Sequence, residues 1–263
     1  MTKTIWTKEE TEFVKNNYET MKQDEILKFL NEKTKDQLRW KAKNLKLKKQ
    51  VSRSKSKIEL LLDLTSPEIC YWWGFITADG CFSEKQLILA AEEKDESHLK
   101  KFADKFNCNI SSSTRINYWT KKPYTMKRVA LRDYFMLPII KERFEIETRK
   151  TYNPFNINEF MSQDKILFFL AGLTDGDGYL EFKKSKWYTI SIKTHPNWSN
   201  NFKLIKQSLM EHYGIESHIR YTKEGWVVFS INRKKHIQFL FEKIKDNVPY
   251  MERKWGKIKL ENS

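Results

Sequence analysis

Two aspartates carry the strongest chemical signal in this sequence. Asp79 closes the segment Trp72-Trp73-Gly74-Phe75-Ile76-Thr77-Ala78-Asp79-Gly80, and Asp177 closes Leu170-Ala171-Gly172-Leu173-Thr174-Asp175-Gly176-Asp177-Gly178. Each segment is largely apolar, has a small residue inside it (Gly74; Gly172 beside Ala171), and ends on an Asp-Gly step. Small residues let two helix backbones approach closely, so the segments are expected to pack on each other and bring the aspartates side by side. Paired carboxylates at helix C-termini, where the helix dipole is already negative, are unfavourable unless a cation joins them. Such an oxygen-only pair suits a hard divalent ion, Mg²⁺ or Mn²⁺, that keeps water and phosphate oxygens as its other ligands.

The elements around each aspartate repeat along the chain. Ser66-Pro67-Glu68 predicts a helix start, with Ser at the N-cap, Pro in the first turn and an acid after it; Gly80 is expected to stop the helix. A second apolar helix is predicted from near Ser162 to Asp177-Gly178. Strand-like alternation follows at 86–91 and 188–193, then amphipathic helices at 97–106 and 198–213. Further strands follow at 111–118 with 126–132 and at 216–222 with 226–232, then helices at 134–144 and 234–245. Both copies close on an Arg-Lys pair, Arg149-Lys150 and Arg253-Lys254. Two helix-strand-strand-helix-strand-strand-helix units, 66–160 and 161–263, imply one pseudo-symmetric α+β domain. Alternation along the strands places Arg115, Asn117, Arg128 and Arg132 on one face in the first half, and Glu181, Lys183, Arg220, Ser230 and Asn232 in the second.

Residues 1–49 read differently. Thr7 with Glu10, Thr20 with Gln23 and Thr34 with Gln37 have capping-box spacing, which predicts three short helices. Phe13, Val14, Ile26, Leu27, Leu30, Leu38, Ala42 and Leu45 recur every three or four residues and can share one core with Trp6 and Tyr18. The third helix shows Lys35, Arg39, Trp40 and Lys43 outward. Residues 50–65 form a linker, and the stretch 46–57 is rich in Lys, Arg and Ser without an acid. Its Arg53 and Lys55 are candidates for phosphate contact.

Composition narrows the partner. The 263 residues carry 49 Lys and Arg against 34 Asp and Glu, a formal net charge of +15. This balance favours nucleic acid. No apolar run approaches the roughly 20 residues of a bilayer span, and the first residues lack a signal-peptide pattern, so an intracellular protein away from membranes is expected. Cys70, Cys81 and Cys108 form no CxxC pair, and the histidines show no metal-ligand spacing.

The two nonapeptides resemble the LAGLIDADG motif of homing endonucleases, the second copy nearly in full, and the likeness runs from Ser66 onward. Copy one departs from it at Thr77, where copy two has Asp175, and at Trp72-Trp73, which replace Leu-Ala. The opening Trp6-Thr7 with Glu9-Glu10, and the ending Leu45, Leu47, Lys48, Lys49, resemble Myb/SANT-like helix-turn-helix modules. These resemblances imply the LAGLIDADG fold behind a helix-turn-helix domain. They also imply metal-dependent cutting of both strands of a long double-stranded DNA target. Asp79 and Asp177, with Ala78, Gly80, Gly176 and Gly178, would form the metal site. Lys150 and Lys254 would each sit near one scissile phosphate, and the strands would read the major groove. An RNA maturase or a DNA-binding regulator that has lost cutting is the alternative. A monomer is expected, because one chain already supplies both halves.

Overall fold

The structure, a computed structural model, describes residues 5–21, 23–30, 32–48, 56–84, 86–116, 118–147, 150–183 and 187–258. The chain divides into two compact units, Met1–Ser54 with Asp133–Phe135, and Lys55–Arg132 with Met136–Ser263. Most of the basic stretch, including Arg53 and Lys55, lies outside the described residues, as does Asn117.

The smaller unit holds helices α1 (Lys8–Asn17), α2 (Gln23–Phe29) and α3 (Lys35–Asn44). Thr7 and Glu10 form a reciprocal capping box, with backbone to side-chain bonds of 2.9 and 3.0 Å. Thr34 and Gln37 do the same at 2.8 and 3.3 Å. The predicted Thr20–Gln23 box does not form: Gln23 is the first residue of α2, so Thr20 stands too early to cap it, and the Gln23 amide turns to the Tyr18 hydroxyl instead. Val14, Tyr18, Ile26, Leu30, Leu38 and Ala42 are buried together, with Trp6, Phe13, Leu27 and Leu45 packed around them.

In the larger unit a 3₁₀ turn, Ile58–Leu62, buries Ile58 and Leu61 in the main core, so this end of the expected linker packs as part of the unit. Next is α4 (Pro67–Asp79), whose N-cap Ser66 accepts from the Ile69 N–H. Gly80 ends it in an extended conformation (φ −72°, ψ 147°) rather than the left-handed one. Glycine is needed there for space, since a Cβ would lie 2.4 Å from the Ile76 carbonyl oxygen. Then come β1 (Cys81–Phe82), β2 (Leu87–Glu92), α5 (Glu96–Lys105), β3 (Ile110–Ile116), β4 (Pro123–Leu131) and α6 (Met136–Arg143). The second copy repeats the order with α7 (Ile166–Gly176), β5 (Gly178–Lys183), β6 (Trp187–Thr194), α8 (Ser199–Tyr213), β7 (His218–Tyr221), β8 (Val227–Ile231) and α9 (Lys234–Ile244). It closes on a short helix, α10 (Glu252–Trp255). Ser162 precedes a single 3₁₀ turn, Gln163–Lys165, so α7 itself starts later than the sequence predicts.

Both copies build a four-stranded antiparallel sheet of one topology, β1-β2-β4-β3 and β5-β6-β8-β7. Apolar alternation decides which face each sheet buries. Leu87 and Leu89 pair with Leu131 and Val129 on the helix side of the first. Ile190 and Ile192 pair with Ile231 and Phe229 on that of the second.

The two motif helices join the copies. A Cβ on Gly74 would lie 1.9 Å from the Phe169 carbonyl oxygen, and one on Gly172 would lie 1.9 Å from that of Tyr71. Each glycine therefore fits against the other helix's backbone, in the same way from both sides. Trp73, which stands where copy two has Ala171, does not disturb this seam. It is fully buried within its own half, donates its indole N–H to the Leu61 carbonyl at 2.9 Å, and meets Phe144 edge-on at 4.5 Å.

Candidate active site

The interlocked helices finish together, and their last residues carry the carboxylates. A Cβ on Gly176 would meet the Ala78 Cβ at 2.1 Å and the Asp79 carboxyl carbon at 3.4 Å. Asp79 at the end of α4 therefore lies against the end of α7, one residue from Asp177. Both aspartates reach solvent. Partial burial and the charge of Asp177 nevertheless push the Asp79 carboxyl up to about 6, with Lys150 and Lys254 pulling the other way. Burial likewise raises Asp177 against the same two lysines.

Those lysines occupy matching places. Lys150 Nζ donates to the carbonyls of Ile76 at 2.8 Å and Ala78 at 2.6 Å. Lys254 Nζ donates to those of Thr174 and Gly178, both at 2.8 Å, and more weakly to Gly176 at 3.4 Å. Each ammonium thus caps the last turn of a motif helix and offsets the negative dipole end where a carboxylate sits. Burial lowers the Lys150 ammonium to about 8, opposed by Asp177 and Asp79. Burial lowers Lys254 as well, with Asp175 the main opposing charge. The carbonyls of Ala78, Gly176 and Gly178 are therefore shared with lysines, each keeping one lone pair for another partner. Gly80 donates its N–H to the Ile76 carbonyl at 2.8 Å.

Among the described residues, no three His, Cys, Asp or Glu side chains converge on a metal-sized site. Asp79 and Asp177 are the carboxylates at the helix ends. Two solvent-reaching carboxylates that repel one another, beside an open side for water and phosphate, fit a hard divalent cation of low protein ligand count.

Strand register places the other candidates. Arg128 pairs with Ser111 and Arg115 with Tyr124, so both lie on the sheet face opposite the Leu89–Val129 layer. Arg132 shares that face by parity and donates to Gln86 at 3.0 Å. Lys127 faces the other way and is held by Glu96 at 3.0 Å and Glu93 at 3.6 Å. In the second sheet, Glu181 (opposite Thr189), Arg220 (opposite Val228) and Ser230 (opposite Ser191) share the open face. Asn232 follows β8 and donates to the Ser230 hydroxyl at 3.4 Å. The Lys183 backbone is on the same strand parity, while its side chain lies outside the described residues. Lys193, His218 and Tyr179 also face this open side. Sequence reasoning passed over them, although the alternation that selected Arg220 would have found all three.

On the smaller unit, Lys35, Arg39, Trp40 and Lys43 are exposed on α3. Lys35 pairs with Asp24 at 2.5 Å and Arg39 with Asp36 at 3.2 Å, so neighbouring acids balance part of this charge.

Two apolar helices crossing at glycines, a carboxylate at each end and a four-stranded sheet on each side define the class: the chain has the LAGLIDADG endonuclease fold. Among solved structures, the homing endonuclease I-WcaI bound to its DNA recognition sequence matches with a TM-score of 0.51 at 12% identity, covering 78% of this chain and 94% of that one. Full-length DUF199/WhiA from Thermatoga maritima matches at 0.44 and 16% identity, over 80% and 69% of the two chains. The LAGLIDADG meganuclease I-AabMI bound to uncleaved DNA matches at 0.44 and 14%, over 73% and 87%. No protein-family model matches the sequence, and no curated protein matches it. Among the described residues, no helix is long and apolar enough to cross a membrane.

Proposed function

We propose that this chain is a site-specific, divalent-metal-dependent endonuclease that cuts both strands of a long DNA target, acting as a monomer, with residues 1–49 binding DNA beside the cut site. The observation that carries this reading is the pair Asp79 and Asp177, brought together by the glycine seam and flanked by Lys150 and Lys254. I-WcaI, which shares the fold, is bound to its DNA recognition sequence, and the net charge of +15 suits the same partner.

The chain's own groups divide the work. The open sheet faces, with Arg115, Arg128, Arg132, Arg220, Lys183 and Asn232, hold and read the duplex, arginine suiting guanine edges and asparagine adenine. Lys150 and Lys254 put an ammonium beside each carboxylate, where it can offset charge that builds on a phosphate oxygen in the transition state. Mg²⁺ or Mn²⁺ held by Asp79 and Asp177 would supply Lewis-acid polarisation of the scissile phosphodiester. Lys35, Arg39 and Lys43 of α3, with Arg53 and Lys55 of the tether, contact flanking DNA and raise affinity through effective concentration.

The test is a plasmid carrying the sequence that flanks this gene, joined without it. The reading expects linearisation at one site with Mg²⁺ and none with chelator. Tight binding without linearisation in either metal would move the chain to a regulator or maturase role.

A further inference from the structure

Copy two carries a second acid inside its motif, Asp175, for which the chemistry above has no use. Its side chain is 2% exposed, and three donors converge on it. Oδ1 accepts from the Trp255 indole N–H at 2.7 Å. Oδ2 accepts from the Met251 backbone N–H at 2.8 Å and from the Tyr71 hydroxyl at 2.5 Å. Tyr71 belongs to α4 of the other copy, and its hydroxyl lies 2.9 Å from Nε2 of the buried His98 on α5. Met251 and Trp255 bracket Lys254. One carboxylate therefore ties the turn of α7 that Lys254 caps, the helix that carries Lys254, and the opposite copy.

That helix, α10, has only four residues and cannot hold itself. Its outer side is braced on α5 and the turn before it: Arg253 forks onto Asp95 at 2.7 and 3.0 Å, and Lys101 reaches the Tyr250 carbonyl at 3.2 Å and Glu252 at 3.3 Å. Its inner side rests on Asp175. At the matching place in copy one, Thr77 donates its hydroxyl proton to the Trp73 carbonyl of its own helix at 2.6 Å, so it does not reach toward Lys150.

We propose that Asp175 is a positioning residue for Lys254: it anchors α10 from inside, so that the ammonium stays on the Thr174 and Gly178 carbonyls beside Asp177. The two halves of the centre then set their lysines by different means, and the DNA strand served by Lys254 depends on an acid that is itself buried beneath the helix end. The placement stands on geometry alone; its effect on cutting rests on the function proposed above.

Two variants test it. Asp175→Asn puts an amide where three donors converge. Trp255→Phe keeps a ring beside Phe241 and removes the N–H together with the second ring of the indole. Full-length protein without DNA is treated with a water-soluble acetylating reagent, and labelling is read at each lysine by mass spectrometry. Lys254, held on backbone carbonyls, should label at least about fivefold faster in both variants, the effect of losing one or two buried hydrogen bonds, while Lys150 keeps its rate. Unchanged Lys254 labelling in folded Trp255→Phe, or an equal rise at Lys150, overturns the proposal. In the cleavage assay both variants should slow the same strand that Lys254→Ala slows, with DNA affinity retained. If the unaltered chain does not cut, the function proposed above fails while the labelling result still decides this one.

Discussion

The carboxylate pair that would hold a cation strains the fold when no cation is there, and Asp79→Asn measures the strain. The Asp79 carboxyl is pushed up to about 6, first by burial and then by the charge of Asp177, against about 3.9 for an ordinary aspartate. In the unfolded chain it ionises earlier as pH rises, so between roughly pH 4 and 6 the folded state holds more protons and loses stability with rising pH. At pH 7 the whole penalty is present. For a buried group it would be about 3 kcal/mol; because Asp79 reaches solvent, screening reduces this to about 1 kcal/mol. Asp79→Asn should therefore be more stable than the unaltered protein by about 1 kcal/mol at pH 7 in chelator, a rise of about 2–4 °C in Tm for a chain of this size. The gain should vanish below about pH 4 and grow to a plateau above about pH 6. Urea unfolding across that range reads it directly. Equal or lower stability of Asp79→Asn at pH 7 would mean that neither burial nor the charge of Asp177 burdens this carboxylate, and the argument that the site is unfavourable without a cation would go with it.

Three further outcomes follow from the same geometry. Gly176→Ala should cost several kcal/mol in urea unfolding, because its Cβ would sit 2.1 Å from that of Ala78; adding Ala78→Gly should restore most of the loss if these residues face each other across the seam, with a coupling of about 1–3 kcal/mol. Arg128→Ala, on the open sheet face, should weaken specific DNA binding by about 1–3 kcal/mol, whereas Lys127→Ala, on the helix face with Glu93 and Glu96, should leave it within about 0.5 kcal/mol; the reverse order would show that the wrong face meets DNA. Arg39→Ala with Lys43→Ala should lower the salt dependence of binding by about two counterions and leave the cut positions unchanged; an unaltered salt slope would remove α3 from the DNA.

What could be read from sequence is what local rules encode. Capping boxes at Thr7 and Thr34, the Ser66-Pro67 helix start, the two seam glycines and strand parity each depend on neighbours within a few residues or on a repeating period. Each has its counterpart in the structure. Where a local rule failed, a neighbouring element had taken the residue: Gln23 begins α2 and so cannot close a box with Thr20, and Gly80 answers a close carbonyl rather than a left-handed turn. The site's support was illegible for a different reason. The bonds from Asp175 to Tyr71, Met251 and Trp255 span from 76 to 104 residues of sequence, and no periodicity marks them. Nor does the sequence mark where Trp73 goes, at a motif position that is small in copy two: a half-core of Phe144, Phe155 and Phe160 takes the ring.

Cleavage and binding by Asp79→Asn and Asp177→Asn, measured side by side on one target, test the central claim most directly. Single-turnover cutting in Mg²⁺ should fall by orders of magnitude in each variant, because the lost group organises the cation and touches no base, while the footprint and its affinity stay as in the unaltered chain. Full cutting by either variant, or loss of binding in step with loss of cutting, would contradict the account.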